Sequence, residues 1–471
     1  MKVSNVIKVM LLFLSIYDLC GQNKYWVDNT DIATKKLIDS IGITPSYCSE
    51  WAQSCSYIIP EQTFSTNPTL HALLPVRSLS PSFNYAEEPI LGFALEQIEA
   101  NLFIDQNLNG KGIKIGIIDG GFLRANKDAS LAHFFDNDLV EYYRDFVTPD
   151  LDEYGGSVGL DDIHGTEVWQ LIGGYHPEKN IQYGLATAAK YYLARTDHGG
   201  YERRIEEDYI LQAMEEMANL GVEIFNISLG YTNGYNDNRE NYRTKDIDGK
   251  TSALTRAIQK AAIDEGILFV VAAGNDGNNK WGTLSIPADA ENILTVGSSK
   301  YKVWDKMNFS SYGPEALDYV KPNVCVYSTL GTSFSTPVVT GLAACIMQYD
   351  SSLTNLQVID ILEKASNFYP YGNNYMGYGV PTCSNILKIL SGKEDEVRRP
   401  KEIRSTKDRV KLKGEFEGKR LVVYHKKEVR NVMHRKNIRP DKNRTVITRP
   451  DGATQTSILV ETEVIEVFWE N

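Results

Sequence analysis

The middle of this chain predicts an α/β fold, a parallel sheet with helices on both faces, and three observations carry that expectation. Short apolar runs without polar alternation occur at 114–118, 190–194, 223–227, 268–272 and 293–296. Strands buried on both faces read this way, because each side of the sheet is covered. Helical periodicity fills the gaps at 206–220 and 252–265, and a richly apolar third stretch covers 333–348. The resulting strand–helix alternation is the pattern of parallel βαβ units. In such sheets reactive groups collect where strands end and helices begin. Asp119 and Asn275 each close an apolar strand, and His164 and Ser333 each open a helical stretch.

The chain begins with Lys2 and Lys8 around an apolar run, 9–17, that is too short to span a bilayer. Residues 1–21 therefore read as an export signal cleaved before Gln22, which predicts a secreted or cell-surface protein. Asp18 sits awkwardly in that reading, and a buried N-terminal strand or helix is the alternative. No other stretch predicts a membrane span. Of six cysteines, five would remain after cleavage, an odd number that cannot close into internal bridges alone. Cys48 and Cys55 are near enough in sequence for a local disulfide, whereas Cys345 reads as a small core residue of a buried helix.

Residues 22–90 are mixed in pattern and interrupted by Pro45, Pro60, Pro68, Pro75 and Pro81, which predicts a small α+β region and a linker at 79–89. The α/β region is placed at 91–391. From 392 to 471 the character changes. Lys and Arg outnumber Asp and Glu up to Arg444, and alternating strands are expected at 409–413, 421–424, 445–447, 457–460 and 464–469. A basic linker followed by a small antiparallel β-domain is the reading. The net charge of −12 argues against nucleic acid as a partner.

Chemistry concentrates in three motifs. Asp119 ends Ile115-Gly116-Ile117-Ile118-Asp119, a costly place for a carboxylate unless it is paired. His164 lies in His164-Gly165-Thr166, and Ser333 in Gly331-Thr332-Ser333-Phe334-Ser335-Thr336-Pro337. A serine hydroxyl becomes a nucleophile when a base takes its proton and an anion orients that base. Singly, each has a plainer reading: a turn aspartate, a surface histidine, a helix-capping serine cluster. Ser335 is a nearby decoy for the nucleophile. A free histidine titrates near 6.5 and a partner carboxylate raises it, so a base near pH 7 is expected.

The Asp–His–Ser order with these flanks resembles the subtilisin-like serine proteases, or subtilases. Val270-Val271-Ala272-Ala273-Gly274-Asn275, Ser228-Leu229-Gly230, Ile286-Pro287-Ala288 and Phe309-Ser310-Ser311-Tyr312-Gly313-Pro314 follow in the family's order, and the likeness extends over 112–390. It implies a serine endopeptidase acting through an acyl-enzyme, with Asp119, His164 and Ser333 as the triad and Asn275 in the oxyanion hole. It implies that Ser228, Leu229 and Gly230 pair with substrate backbone, that Ala272, Ala273 and Gly274 form the opposite wall, that Ser285 makes the pocket floor shallow, and that Asp276 sits at its rim. Glu167 stands where subtilases commonly carry a second histidine. The loop before Gly331 is short for the family.

Lys24-Tyr25-Trp26-Val27 resembles the start of exported subtilases of Bacteroidetes-type bacteria, where a propeptide follows. That likeness implies a zymogen whose 22–90 region inhibits its own catalytic domain, a permanent N-terminal extension being the alternative. It also implies a C-terminal type IX secretion signal as one role for the β-domain. The partner expected is a protein or peptide substrate. No cofactor is required for the chemistry. A structural calcium ion fits the resemblance without an assigned position, since the motif Asp105-Gln106-Asn107-Leu108-Asn109-Gly110 lacks the closing glutamate of a calcium loop. The rival functions are a catalytically inactive subtilase-fold binding or surface module, and an acyl hydrolase, whose Gly-x-Ser-x-Gly elbow is missing around Ser333.

Overall fold

The computed structural model describes residues 22–28, 32–40, 42–43, 47–49, 54–60 and 89–470, apart from 151–152, 156–160 and 441. The expected signal peptide and most of the expected linker lie outside the described residues. The chain divides into two compact units, Met1–Glu88 and Pro89–Asn471. In the first, strands Gln22–Asp28 and Tyr47–Ser49 flank Ser54–Pro60 in an antiparallel sheet, and a helix covers Ile32–Ser40. The register sets Cys48 across from Cys55.

The second unit is organised by seven strands: β1 (Lys114–Asp119), β2 (Val140–Asp145), β3 (Lys190–Arg195), β4 (Ile224–Ile227), β5 (Leu268–Ala272), β6 (Leu294–Ser299) and β7 (Val324–Tyr327). They lie in the order β7-β6-β5-β4-β1-β3-β2, and every pairing is parallel. Alternate residues face opposite layers. Ile115, Ile117, Ile224, Leu268 and Val270 pack against α1 (His164–Gly173) and α4 (Thr336–Tyr349). Ile118, Phe225, Ile227, Phe269 and Val271 pack against α2 (Ile205–Asn219) and α3 (Ala253–Asp264). The sheet is covered on both faces, as its continuous apolar strands require. Helices α5 (Asn355–Lys364) and α6 (Cys383–Leu390) complete the layer around α4.

The sheet order reverses at β1, which has β3 on one side and β4 on the other. Crossovers leave to opposite faces there, so a crevice opens beyond its C-terminal end. Asp119 stands at that point. The edge strands β2 and β7 were absent from the expected set; β2 reads Val-Glu-Tyr-Tyr-Arg-Asp and is partly solvated, so it lacks the apolar signature. Ser333 belongs to a 3₁₀ turn, Thr332–Phe334, and α4 proper begins at Thr336 with Pro337 in its first turn. The 105–110 motif is a turn whose Asn109 and Gly110 N–H groups donate to Gln348 Oε1 on α4 at 2.7 Å each.

The C-terminal strands are β8 (Lys401–Ser405), β9 (Arg409–Lys413), β10 (Leu421–Lys426), β11 (Val432–Ile438), β12 (Arg444–Thr448), β13 (Gln455–Val460) and β14 (Glu463–Trp469). One sheet has the order β8-β14-β13-β10-β11, and β9 pairs with β12. The expected antiparallel β-domain is present, with one parallel pairing at its edge: β8 runs parallel to β14. Parallel neighbours need a long connection, and the intervening strands supply it. Part of the expected basic linker is thus an edge strand. Among the described residues no helix is long and apolar enough to cross a membrane.

Candidate active site

Asp119 closes β1 with its side chain fully buried. Its Oδ1 accepts hydrogen bonds from His164 Nδ1 at 2.6 Å and from the Gly120 N–H at 2.8 Å. His164 is the first residue of α1, and the following glycine makes the approach feasible. A Cβ on Gly165 would fall 2.5 Å from Gly121 O and 2.9 Å from Asp119 Cβ. Burial disfavours the imidazolium, but the charge and hydrogen bond of Asp119 outweigh it. With Glu167 and Asp197 adding to the pull, His164 is pushed up to about 9. That is higher than the expected value near 7.

Arg195, the last residue of β3, fixes this corner. Its Nε donates to Gly120 O at 2.9 Å, while its terminal nitrogens reach Asp145 (3.0 Å), Thr148 Oγ1 (2.8 Å) and Asp162 (2.7 Å). One buried guanidinium joins the ends of β1, β2 and β3 to the turn before His164. The sequence reading missed it; the available signal was an arginine closing an apolar run.

Ser333 faces the same cleft. Its Oγ donates to Ser228 O at 3.0 Å, and Ser228 Oγ donates to Ser333 O at 3.0 Å. The hydroxyl is thus turned toward β4 rather than the imidazole. Phe334 lies edge-on to the His164 ring, with centroids 5.3 Å apart. Ser335 is core structure: its Oγ bonds Ser298 Oγ at 2.8 Å and donates to Val326 O at 2.9 Å.

Asn275 is oriented by a residue that the sequence reading passed over. Its Oδ1 accepts from Thr332 N (2.8 Å) and Thr332 Oγ1 (3.1 Å). The amide oxygen is used, so Nδ2 is the group left to donate. A Cβ on Gly331 would come within 3.3 Å of Nδ2, so glycine keeps that nitrogen uncovered.

A cleft of about 350 Å³ joins His164, Ser333, Asn275 and the expected walls Ser228, Leu229, Gly230 and Gly274. Ser285 lies between the walls: Cβ atoms on Gly230 and Gly274 would meet its side chain at 2.7 and 2.3 Å. Asp276 also borders the cleft. Of the expected wall, Ala272 and Gly274 border the cleft, whereas Ala273 is a correction: it is fully buried among core residues, because successive side chains leave a strand on opposite sides. Asp197 and Glu202 add an acidic side next to His164, with Glu206 behind them. Burial and the Asp197 charge push Glu206 up to about 7.

This arrangement offers a base held by a buried carboxylate, a hydroxyl, and an amide donor around one cleft. A protein-family model described as the subtilase family matches residues 110–379. Subtilisin NAT of Bacillus subtilis subsp. natto is 27% identical over 323 residues, covering 64% of this chain and 74% of that protein. Subtilisin of Bacillus pumilus is 27% identical over 302 residues, covering 61% and 95%. The structure of the Clostridium perfringens CspB protease superposes with a TM-score of 0.50 at 16% identity, covering 63% of this chain and 99% of that one, which bears on fold alone. By the match across its α/β region and its likeness to the subtilisins, this chain is a serine-type endopeptidase that belongs to the subtilase family.

Proposed function

We propose that the protein is an exported endopeptidase that cleaves peptide bonds through Asp119, His164 and Ser333, with Asn275 in the oxyanion hole. The observation that carries the reading is the 2.6 Å bond from His164 Nδ1 to the buried Asp119 carboxylate. That bond fixes the tautomer and leaves Nε2 as the basic atom. Rotation of the Ser333 side chain away from Ser228 O brings its hydroxyl to Nε2; catalytic hydrogen bonds often form only once substrate is bound. Ser333 Oγ then attacks the substrate carbonyl carbon as His164 takes its proton. Asn275 Nδ2 and the Ser333 N–H donate to the oxyanion. His164 protonates the leaving amine, the acyl-enzyme remains, and water reverses the sequence to release the acid. Extended peptide lies along Ser228, Leu229 and Gly230, adding main-chain hydrogen bonds as a strand would.

In this reading residues 1–21 direct export, and the unit that carries the Gln22–Asp28 sheet is a propeptide inhibiting its own catalytic domain. That residues 1–88 form a compact unit of their own supports reading them as a propeptide. Added in trans, the 22–89 segment is expected to inhibit peptide cleavage by the mature enzyme. The site itself is tested with a fluorophosphonate probe, which needs an activated serine and an oxyanion hole but no knowledge of the substrate. Labelling is expected at Ser333, absent in Ser333→Ala and retained in Ser335→Ala. Asn275→Ala is expected to slow peptide cleavage by about a hundredfold or more. A folded protein that neither labels nor cleaves an unfolded substrate contradicts the reading.

A further inference from the structure

We infer that Asn226 is a positioning residue for the nucleophile and acts through the side chain of Ser228; the inference rests on the triad proposed above. Strand β4 is buried throughout, and its side chains alternate between the two layers. Phe225 and Ile227 belong to the layer of α2 and α3, and Ile224 to that of α1 and α4. Asn226 shares the face of Ile224, where it breaks an apolar strand with a fully buried amide. Such an amide is costly unless its hydrogen bonds are made. Here both ends are used. Asn226 Oδ1 accepts from Thr340 Oγ1 of α4 at 2.8 Å, and Nδ2 donates to Ser228 Oγ at 3.0 Å.

The second bond decides what Ser228 does. A serine hydroxyl carries one proton and accepts on its lone pairs. With an amide N–H facing its oxygen, the Ser228 proton is directed away from Asn226 and goes to Ser333 O at 3.0 Å. Thr340, Asn226, Ser228 and Ser333 thus form one chain of hydrogen bonds, from the core helix across the sheet to the peptide of the nucleophile. Thr340, Asn226 and Ser228 are all buried, so no solvent is at hand to replace a missing link. The start of the same turn is held separately, by Thr336 Oγ1 donating to Thr332 O at 2.8 Å.

The chain controls where the nucleophile stands relative to the substrate. Ser228 belongs to the segment along which the extended peptide is placed, and its own carbonyl holds the Ser333 hydroxyl at 3.0 Å. The bond to Ser333 O fixes the backbone that presents both that hydroxyl and the Ser333 N–H. A shift there displaces the attacking oxygen and an oxyanion donor together, and a misplacement of about 1 Å can cost about a hundredfold in rate. Asn226 does not border the cleft, whose lining begins on this strand at Ser228. Its loss therefore belongs in kcat and not in KM.

The test measures kcat and KM on a quenched fluorescent peptide, taken from a fragment that the wild type releases from unfolded casein. Each variant is made as the full chain and matured by a trace of tagged wild-type enzyme that is then removed, so processing does not depend on the variant's own activity. Asn226→Ala and Ser228→Ala are each expected to lower kcat by about tenfold or more with KM within about threefold. The double variant is expected to stay within about threefold of Ser228→Ala, because both substitutions cut the same chain. The pH limb of kcat/KM should stay at its wild-type position, since neither substitution touches His164 or Asp119; a general disturbance of the site moves it. Thr340→Val keeps the shape of the helix surface and frees the amide, and a fall in kcat of about threefold is expected. Wild-type kcat in Asn226→Ala, or losses that multiply in the double variant, overturns the inference. If Asn226→Ala does not fold, wild-type kcat in Thr340→Val does the same. Fluorophosphonate labelling at Ser333 in the parent separates the two levels: a parent that labels beside an unimpaired Asn226→Ala rejects the positioning role alone, and a parent that does not label rejects the triad and with it this inference.

Discussion

His164 meets opposing demands from its surroundings. Burial favours the neutral ring, while Asp119 favours the charged one and wins, pushing the group up to about 9. As the proposed base, His164 works only when neutral, so kcat/KM is expected to rise with pH along a limb displaced from 6.5 toward about 9. The stability contribution runs the other way. A folded value raised above the unfolded one gives stabilisation that is complete below 6.5 and is lost as pH rises through about 9. Asp119→Asn is expected to return the limb toward 6.5 and to lower kcat by about 10⁴, because the amide holds the wrong tautomer. A limb that stays put in that variant, in a pH–rate series with folding checked by circular dichroism, contradicts the coupling. At this scale the sequence was informative where chemistry is written locally. Asp119, His164, Ser333 and Asn275 each sit in a short motif. Arg195 and Thr332 act by reaching residues far away in the chain, which no local pattern records.

Strands buried on both faces were legible because nothing polar interrupts them, and α3 was legible to within a residue through its Ser252 cap, which accepts from Thr255 N. Edges were not. Strands β2, β8 and β11 mix charged and apolar residues because one side of each meets water, so their patterns merge with those of loops. Helix position in turn depends on close approach. Helix α1 can bring His164 onto Asp119 only because residue 165 has no side chain. Gly165→Ala would put a methyl 2.5 Å from Gly121 O, and the helix or the Gly120–Gly121 turn must move. Such overpacking costs about 1–3 kcal/mol. The expected outcome is a folded protein with a lower Tm whose kcat falls by far more than the stability loss explains. A variant with wild-type kcat shows that the helix start can shift without disturbing the pair.

Among the ties between the C-terminal sheet and the catalytic layer is a buried carboxylate, Asp305. Asp305 Oδ1 accepts from Tyr424 Oη at 2.7 Å and Arg435 Nε at 3.1 Å, while Oδ2 takes Lys300 Nζ at 2.6 Å. Around it Val422, Tyr424, Leu459 and Val464 pack with Phe368, Met376 and Cys325. The next residue, Lys306, donates to the carbonyls of Met307, Asn308 and Ser310, and Ser311 Oγ accepts from Asp276 N at 3.1 Å beside Asn275. The sheet therefore braces the segment next to Asn275, the proposed oxyanion donor. Burial alone would raise the Asp305 carboxyl, but Arg435 and Lys300 hold it below 3.8. Its contribution is in place above that value and is lost as pH falls through the lowered one. Asp305→Ala leaves the cations Lys300, Arg420 and Arg435 around a buried site and is expected to cost about 3–5 kcal/mol in urea unfolding. Ending the chain at Gly392 is a harsher version of the same change, since it removes the charges and uncovers the apolar surface together. That truncated chain is expected to be insoluble or inactive, and the full chain lacking residues 1–88 to unfold in one transition. Two separate calorimetric transitions, or full activity after truncation, would show that the C-terminal sheet is an independent appendage.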